Sequence, residues 1–301
     1  MPTYAFVTVD VFTDRRFGGN PLAVFPDARG MSDVEMQALA AEFNLSETTF
    51  VLPPTDPANT ARVRIFNPTA EMPFAGHPNV GTGYVLASQG RDLDGTLVFE
   101  ELAGLVEVRV ARDAGGDLTG AVIDAPRALA LALALGPRLT ATQVAACVGL
   151  QPEDVVIAVH PPVQASVGID FFFAQVLPEA LARAGPDLAG FRRVAAETGA
   201  DNQRLSLFLY APDPDGRTVR ARMFAPLSGT YEDAATGSAS ATLGALLLSL
   251  GARDAAELEI IQGVEMGRPS RLHVTARRTA DGVRASVGGG CVPVMRGEVT
   301  L

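Results

Sequence analysis

The chain has 301 residues, of which 48% are hydrophobic and 19% are charged, and its formal net charge is −10. This length favours two packed domains, and the apolar fraction is ample for a core in each. The acidic balance argues against nucleic acid and anionic membrane surfaces as partners, because both reward clustered Lys and Arg. A small-molecule site is compatible with it, since local groups and helix ends set the field inside a cleft.

Targeting and redox signals are absent from the sequence pattern. The N-terminal MPTYAFVTVDVF lacks a basic segment followed by an apolar run, and the most apolar stretches, 128–135 and 243–250, are too short to span a bilayer. We therefore expect a soluble, cytoplasmic protein. Cys147 and Cys291 show no C-x-x-C spacing and no neighbouring histidines, so we expect two reduced thiols, with neither a disulfide nor a metal site.

The first elements are predicted from alternation of apolar and polar residues. TYAFVTVDVF and NPLAVF are expected to be strands joined by a turn around GGN. A helix is expected in MSDVEMQALAAEF, where Ser32 and Glu35 form the S-x-x-E capping box. Val34, Leu39 and Phe43 are expected on or near one face of that helix. Strands are then predicted at TTFVL and ARVRIF.

The remaining elements repeat this plan. A helix over about 78–88 and strands at TLVFEE and GLVEVRV complete the first part, which lacks the strict βαβ alternation of a doubly wound sheet. After a variable stretch of about 127–167, with a T-x-x-Q helix start at Thr140, strands are predicted at VGIDFFFAQV, LSLFLYA and RTVRARMF. Helices are expected over about 187–198 and 237–250, followed by strands.

The domain boundaries follow from this order. We expect an N-terminal repeat domain over 1–126 and a C-terminal repeat domain over 127–301, and leave open that the last strands return to the first domain. No low-complexity linker separates the halves, so the domains are expected to pack against each other.

Two distant stretches, RIFNPTAEMPFAGHPNVGTGYVL (64–86) and RMFAPLSGTYEDAATGSASATLGALLL (222–248), match each other. The offset is 158 residues at first and becomes 161 after three extra residues in the second copy. His77 then corresponds to Ser238. The matching pairs are Arg64/Arg222, Phe66/Phe224, Pro68/Pro226, Glu71/Glu232, Gly76/Gly237, Gly83/Gly244 and Leu86/Leu247.

The repeat predicts an anion site. A single glycine before a helix is a weak signal, and Ser238 alone could be only an N-cap. Two copies related by a pseudo-twofold would direct two helix N-termini, with their free N–H groups and partial positive charge, into one cleft. Gly76 and Gly237 would let a ligand approach the backbone closely. The expected guest is a carboxylate.

Such a cleft favours removal of a proton from a carbon next to a carboxylate or conjugated system, because helix ends stabilise the developing charge. The candidate bases are Glu47, in LSETTF, and Asp233, in YEDAATG. Alternatively, Glu47 is a solvated carboxylate at a strand start and Asp233 is a turn residue. Adding 158 to Glu47 gives Leu205, within a residue or two, so the second half lacks a matching carboxylate. One carboxylate acting on one face fits an isomerase better than a two-base racemase.

Five segments in order, VDVFTDRRFGGNPLAVF, LSETTFV, FNPTAEMPFAGHPNVGT, YEDAATGSAS and QGVEMGRPS, resemble the PhzF family of phenazine-biosynthesis-like proteins over nearly the whole chain. The resemblance implies the diaminopimelate-epimerase-like α+β fold, in which each of two pseudo-symmetric domains wraps a curved, mostly antiparallel sheet around a central helix. It also implies a cofactor-independent, metal-free isomerase, usually a homodimer, acting on trans-2,3-dihydro-3-hydroxyanthranilate or a related compound.

The resemblance also assigns residues. It makes Glu47 the acid/base, and it carries His77, Asp233 and Ser238 over as catalytic residues. We expect the pKa of Glu47 to lie nearer neutrality than that of a free glutamate. The backbone near Gly76 and Gly237 would bind the substrate carboxylate, and Asn20 and the turn 267–269 would line the cleft unless they serve only as turns.

Departures from the family pattern bear on the substrate. Ala234 stands where the second motif often has a proline, and Asn79 and Ser240 follow the two glycine motifs. Two alternative functions remain open. One is an amino-acid-type racemase or epimerase, which needs a base on each face of the substrate. The other is a catalytically silent ligand-binding protein of the same fold. A hydrolase using Ser238 is poorly supported, because GSASA lacks the G-x-S-x-G pattern.

Overall fold

The computed structural model describes residues 1–131, 139–199 and 205–301. The chain divides into two compact units. Unit 1 comprises Met1–Asp124 and Ser286–Leu301, and unit 2 comprises Ala125–Ala285. The last residues of the chain thus belong to the unit in which it began, which is the arrangement that the sequence left open.

Unit 1 contains two helices and a set of strands. In chain order they are β1 (Thr3–Val11), β2 (Asn20–Phe25), α1 (Asp33–Phe43), β3 (Glu47–Leu52), β4 (Ala61–Phe66), β5 (Glu71–Met72), α2 (Gly76–Ser88), β6 (Thr96–Glu101), β7 (Gly104–Arg112) and β8 (Leu118–Asp124). The last strand, which is named β18 below, spans Gly282–Thr300 and enters unit 1 at its C-terminal part.

The strands of unit 1 form a closed cycle of hydrogen-bonded pairs. β1 pairs with β2, β2 with β3, β3 with β4, β4 with β6, β6 with β7 and β7 with β8. β18 pairs with both β8 and β1, which closes the cycle. Only β2 with β3 and β4 with β6 run parallel within this cycle. The sheet is therefore curved and mostly antiparallel.

Helix α2 packs against β1, β2, β3, β7 and β8, and nearly every residue from Gly76 to Ala87 is buried. Close packing requires glycine on this helix. A Cβ on Gly83 would lie 2.5 Å from Cγ1 of Val108 in β7, well inside contact distance. The apolar, glycine-rich sequence of α2 is thus explained by its position as the central helix of unit 1.

Helix α1 begins as the sequence predicts. The Ser32 side chain accepts a hydrogen bond from the backbone N–H of Glu35, and the Glu35 side chain accepts one from the backbone of Ser32, so the capping box is confirmed. The predicted apolar face is partly wrong. Leu39 is buried and Phe43 packs against the same cluster, but Val34 is 79% exposed and Met36 takes the inward position instead.

Unit 2 repeats the alternation of strands and helices. Its elements are β9 (Ala130–Leu131), α3 (Ala141–Val148), β10 (Val155–Val156), β11 (Val163–Ser166), β12 (Asp170–Val176), α4 (Pro178–Arg183), α5 (Leu188–Thr198), β13 (Leu207–Pro212), β14 (Thr218–Ala225), β15 (Thr230–Asp233), α6 (Gly237–Leu250), β16 (Ala255–Gln262), β17 (Ser270–Thr279) and the start of β18 (Gly282–Thr300). Thr140 caps α3 and forms the predicted box with Gln143.

Pairing in unit 2 follows the same order as in unit 1. β12 with β13 and β14 with β16 run parallel, while β13 with β14 and β16 with β17 run antiparallel. Helix α6 packs on β16, β17, β11 and β12, and a Cβ on Gly244 would lie 2.5 Å from Cγ1 of Val274 in β17. Gly83 and Gly244 are a matched pair of the repeat. The predicted mixed α/β class, with a curved sheet around a central helix, is confirmed.

Three further expectations concern single features. Cys147 and Cys291 are free, buried thiols, and burial raises the pKa of Cys147 to about 12, so both act as small apolar residues. Within the described ranges, no helix has the length and apolar character needed to cross a membrane. Half of the apolar stretch 128–135, residues 132–135, lies outside the described residues.

Candidate active site

Glu47 is the first residue of β3 and lies beside Leu22 of β2 in the parallel pairing. Its side chain is only 17% exposed, although the strand begins directly after the turn that ends α1. A carboxylate in a solvated loop would be far more accessible. The alternative in which Glu47 is an ordinary solvated residue is therefore poorly supported.

His77 is the second residue of α2, and its side chain is 6% exposed. Burial lowers the pKa of His77 to about 3, because the charged imidazolium would lose its hydration. The imidazole is consequently neutral at physiological pH. It can offer one N–H donor and one nitrogen acceptor.

Three predicted site residues come together in unit 1. Nε2 of His77 lies 3.4 Å from Oε2 of Glu47, and Nδ1 of His77 lies 3.5 Å from Nδ2 of Asn20. The hydroxyl of Ser46 donates to Oδ1 of Asn20 at 3.5 Å, which turns the Asn20 amide nitrogen toward the ring. Since an amide nitrogen only donates, Nδ1 is the acceptor and Nε2 carries the proton that faces Glu47.

The N-terminus of α2 supplies the electrostatic part of this cluster. The N-cap residue Ala75 has no side chain that could cap the helix, and Pro78 has no backbone N–H. Gly76 is the first helical residue, so a ligand meets backbone rather than a side chain there. A helix end of this kind favours a negatively charged group. The cluster therefore combines a carboxylate, a neutral imidazole and a helix end that favours a negatively charged group.

Unit 2 holds the other predicted residues at the N-terminus of α6. Gly237 and Ser238 are the first two residues of α6, and the N-cap is Thr236. The interpretation of Ser238 as an N-cap is therefore wrong: like its counterpart His77, it occupies the second helical position. The hydroxyl of Thr236 donates to Oδ2 of Asp233 at 2.8 Å, which fixes that carboxylate at the end of β15.

Gln262, the last residue of β16, organises the loop before α6. Its Oε1 accepts from the backbone N–H of Thr236 at 3.0 Å. Its Nε2 donates to the carbonyl of Asp233 at 2.8 Å and to Oγ1 of Thr236 at 3.0 Å. Sequence reasoning missed Gln262, because nothing in a strand-end glutamine signals a partner 26 residues earlier.

The turn 267–269 also contacts this loop indirectly. The hydroxyl of Ser270, which follows the turn, donates to the carbonyl of Ala234 at 2.8 Å and to that of Arg268 at 3.2 Å. The backbone N–H of Gly267 donates to the carbonyl of Val264 at 3.0 Å, as in a tight turn, and that of Arg268 donates to the carbonyl of Gly263 at 3.0 Å. The turn thus has a structural role in supporting the segment before α6.

The strand registers locate the residue that matches Glu47 within the margin of a residue or two around Leu205. Phe66 pairs with Thr48 in unit 1, whereas its counterpart Phe224 pairs with Leu207 in unit 2. The position that matches Glu47 is therefore Ser206 and not Leu205. Ser206 has a hydroxyl in place of the carboxylate, so the conclusion that unit 2 has no matching base at this position is unchanged.

The donor groups offer no evident metal site. Among the residues that the structure describes, no three His, Cys, Asp or Glu side chains are grouped so that they could hold a metal ion. The expectation of a cofactor-free, metal-free reaction remains a prediction.

Comparisons with known proteins show the family to which the chain belongs. The family model described as phenazine biosynthesis-like protein, PhzC-PhzF, matches residues 9–297. The chain belongs to the PhzC-PhzF family. The segments that suggested the resemblance thus identified the family correctly, and the match extends through the variable stretch of about 127–167.

Several curated relatives of this PhzC-PhzF protein are described as isomerases. A protein of Mesorhizobium japonicum described as an uncharacterized isomerase is 36% identical over 313 residues, covering 100% of both chains. Trans-2,3-dihydro-3-hydroxyanthranilate isomerase of Pseudomonas chlororaphis is 35% identical and covers 98% of this chain and 99% of its own. The protein is accordingly an isomerase of the PhzC-PhzF family.

Solved structures show the same fold. A PhzF-family protein of Bacillus anthracis superposes with a TM-score of 0.87 at 26% identity, with both chains fully covered. A hydroxyproline epimerase of Agrobacterium vitis superposes with a TM-score of 0.65 at 14% identity, covering 99% of this chain and 93% of its own. The second likeness concerns the fold alone.

Proposed function

We propose that the protein shifts a proton between two carbons of a small carboxylate-bearing substrate, with Glu47 as the acid/base. The observation that carries this proposal is the position of the Glu47 carboxylate, 3.4 Å from a neutral imidazole at the N-terminus of a central helix. A positively charged side chain beside Glu47 would make the Glu47 carboxylate a weaker base. A neutral imidazole orients the carboxylate without neutralising it.

In the first step, the Glu47 carboxylate removes a proton from an sp³ carbon next to a conjugated system. The electron pair of the broken C–H bond moves into that system, and the negative charge spreads toward the substrate carboxylate. In this proposal, backbone N–H groups at Gly76 and His77, the first two residues of α2, stabilise this charge. In the second step, protonated Glu47 returns the proton to another carbon, so no oxidant or reductant is consumed.

His77 acts on Glu47 in this proposal. Its Nε2–H faces Oε2 of Glu47, and Asn20 holds the ring from the other side. Because the ring stays neutral, it is neither the proton donor nor a competing charge. Asn20 and His77 therefore fix the direction of one carboxylate oxygen of Glu47.

Asp233, Gly237 and Ser238 belong to the proposal as substrate-handling groups. The Asp233 carboxylate is held by the hydroxyl of Thr236, and Ser238 is half-buried in the first turn of α6. We propose that Gly237 and Ser238 bind a polar group of the substrate through backbone and hydroxyl. Single substitutions of Asp233 and Ser238 would test these roles by their separate effects on KM and kcat.

The substrate we propose is trans-2,3-dihydro-3-hydroxyanthranilate or a related compound. This rests on the activity of the relative from Pseudomonas chlororaphis and on the chemistry of the site, which suits a carboxylate beside an acidic carbon. A two-base racemase is less well supported, because Ser206 occupies the position that matches Glu47. The protein is further proposed to be a cytoplasmic homodimer, which light scattering would test as twice the chain mass.

The test uses proton NMR in deuterated water on a panel of cyclic and acyclic carboxylic acids that includes trans-2,3-dihydro-3-hydroxyanthranilate. Movement of a double bond together with deuterium at one specific carbon supports the proposed isomerase. Deuterium entering a stereocentre with inversion and no movement of a double bond would support an epimerase instead. Binding of panel members without any exchange would favour the silent binding protein.

A label-transfer experiment tests whether one group carries the proton. Substrate deuterated at the donor carbon is converted in ordinary water, and the product is analysed by mass spectrometry. Return of the same proton by Glu47 predicts measurable deuterium at the acceptor carbon. Product without any deuterium at the acceptor carbon, at low as well as high extents of conversion, would contradict transfer by a single carboxylate whose side chain is 17% exposed.

A further inference from the structure

Glu101, the last residue of β6, is a buried carboxyl group that the proposed reaction does not use. Both of its carboxyl oxygens are inaccessible to solvent. They face the side-chain amide of Asn79, a fully buried residue in the first turn of α2. Asn79 in turn donates from Nδ2 to the carbonyl of Ala75, the N-cap of α2, at 3.1 Å.

The internal repeat shows what this position does in unit 2. In unit 1, Ala61 of β4 pairs with Phe99 of β6, and the matching pair in unit 2 is Val219 of β14 with Ile260 of β16. The offset of 161 residues then relates Glu101 to Gln262, and each is the last residue of its strand.

Gln262 uses both halves of its amide to hold the loop before α6. Its oxygen accepts from the backbone of Thr236 and its nitrogen donates to the carbonyl of Asp233. A position that requires one donor and one acceptor is satisfied by an amide or by a protonated carboxylic acid. A carboxylate offers acceptors alone and cannot take over this role.

The unpaired atoms in unit 1 agree with a protonated acid. Oδ1 of Asn79 is buried and has no hydrogen-bond donor, and the Glu101 oxygens likewise lack a donor in hydrogen-bonding geometry. An O–H on Glu101 would supply the missing donor to Oδ1 of Asn79. The hydrogen-bond chain would then run from Glu101 through Asn79 to the carbonyl of Ala75.

We propose that Glu101 is a positioning residue of the active site, which acts as an uncharged hydrogen-bond donor and fixes, through Asn79, the first turn of α2 that carries His77. This inference rests on the proposed function for its catalytic consequence alone. An ionised Glu101 would lose the donor and would add a negative charge close to the helix end that binds the substrate carboxylate.

The electrostatic surroundings support this state. Burial raises the pKa of Glu101 to about 8 and outweighs the Asn79 amide, which by itself lowers this pKa, while no charged side chain of the described residues contributes. The ionisable neighbours on the adjoining elements are engaged or neutral. Glu100 is held by the backbone N–H groups of Thr55 and Asp56, and His77 is uncharged because of its burial.

The direct test measures thermal unfolding of wild type and Glu101→Gln between pH 5 and 9.5, without substrate. The Glu101 carboxyl ionises near its ordinary pKa of 4.5 in the unfolded chain but at about 8 in the folded protein. Between these values the folded state holds a proton that the unfolded state has released, so wild type loses stability as the pH rises. The glutamine variant carries a permanently uncharged amide and lacks this dependence.

We therefore expect the Tm of Glu101→Gln, relative to wild type, to rise steadily from pH 5 to about 8 and then to level off. The exposed Glu42→Gln is the matched control and should show no such trend. A Tm difference that is the same at every pH would overturn the proposal. As a mirror test, Gln262→Glu should acquire a loss of stability with rising pH that wild-type unit 2 lacks.

Two readouts at the active site separate a positioning role from a merely structural one. The ring nitrogen signals of His77 should move between pH 7 and 9 in wild type and stay constant in Glu101→Gln. The rate of the isomerisation should fall in wild type above pH 8 and show no such fall in the variant. If the Tm and the ring signals behave as expected but no isomerisation is found, the proposed function fails and the positioning role of Glu101 stands. If the ring signals move equally in both proteins, the positioning role is overturned.

Discussion

Oε2 of Glu47 lies 3.4 Å from Nε2 of His77, and the two residues come from segments 30 positions apart in the chain. The pairing of β2 with β3 sets the position of Glu47, and the start of α2 sets that of His77. Neither segment alone distinguishes a catalytic group from a strand-start carboxylate or a buried histidine. Their contact is the structural reason for assigning a function to both.

The neutrality of His77 is directly testable. Burial lowers its pKa to about 3, so the ring nitrogens should show the signals of a neutral, Nε2-protonated imidazole from pH 5 to 8. Between pH 6.5 and about 3 the unfolded chain binds a proton that the folded state refuses, so this residue reduces stability as the pH falls. A ring that titrates with a midpoint between 5 and 8 would show that His77 is a charged partner of Glu47.

The close approach of α2 to β7 predicts an overpacking effect. Gly83→Ala would place a methyl group 2.5 Å from Val108 and should destabilise the protein by about 1–3 kcal/mol in denaturant unfolding. The double variant Gly83→Ala with Val108→Ala should be more stable than the sum of the single effects indicates. Simple additivity would mean that the helix moves away rather than clashing.

The same test is available in unit 2. Gly244→Ala meets Val274 at the same distance and should behave alike, which makes the matched pair an internal control. A large difference between the two glycines would show that α2 and α6 are not packed equivalently in their own units.

The ion pairs of Arg222 and of its counterpart Arg64 predict unequal losses of stability when each arginine is replaced. Arg222 binds Glu232 through Nε and Nη2, and its Nη1 donates to two buried carbonyls, those of Leu181 and Ala184. With a side chain only 7% exposed, Arg222→Met leaves Glu232 and both carbonyls unpaired and should cost about 3–5 kcal/mol.

Its counterpart Arg64 pairs with Glu71 and with the exposed Asp33, and its side chain is 17% exposed. Water can replace part of these contacts, so Arg64→Met should cost distinctly less in the same unfolding experiment. Equal losses for the two variants would mean that the buried carbonyls near Arg222 add nothing.

Much of this architecture was predictable from the repeat. The identities at Arg64/Arg222 and Phe66/Phe224 reappear as guanidinium groups lying 5.0 Å over the ring two residues later in the same strand. Such residues keep their type because each makes a local contact that the sequence spacing already defines. The capping boxes before α1 and α3 were predictable for the same reason, since they join residues three positions apart.

Long-range contacts were not predictable in this way. Val34 fits a helical apolar stripe, but in the folded protein Met36 is buried instead and Val34 is exposed. The orientation of α1 against its sheet decides which of the two side chains is buried. The match of Glu47 to Ser206 depends on a strand register that differs by one residue between the units. Glu101 carries no local signal of burial, because only the fold brings it against Asn79.

The central claim, that Glu47 moves the proton, is tested most directly by comparing wild type, Glu47→Gln and Glu42→Gln. Deuterium incorporation into the substrate is followed by proton NMR, and substrate affinity is measured by calorimetry in the same proteins. Glu47→Gln should lower the exchange rate by a factor of about 10²–10⁴ while affinity changes little, and the exposed Glu42→Gln should match wild type. Exchange in Glu47→Gln at the wild-type rate would contradict the account.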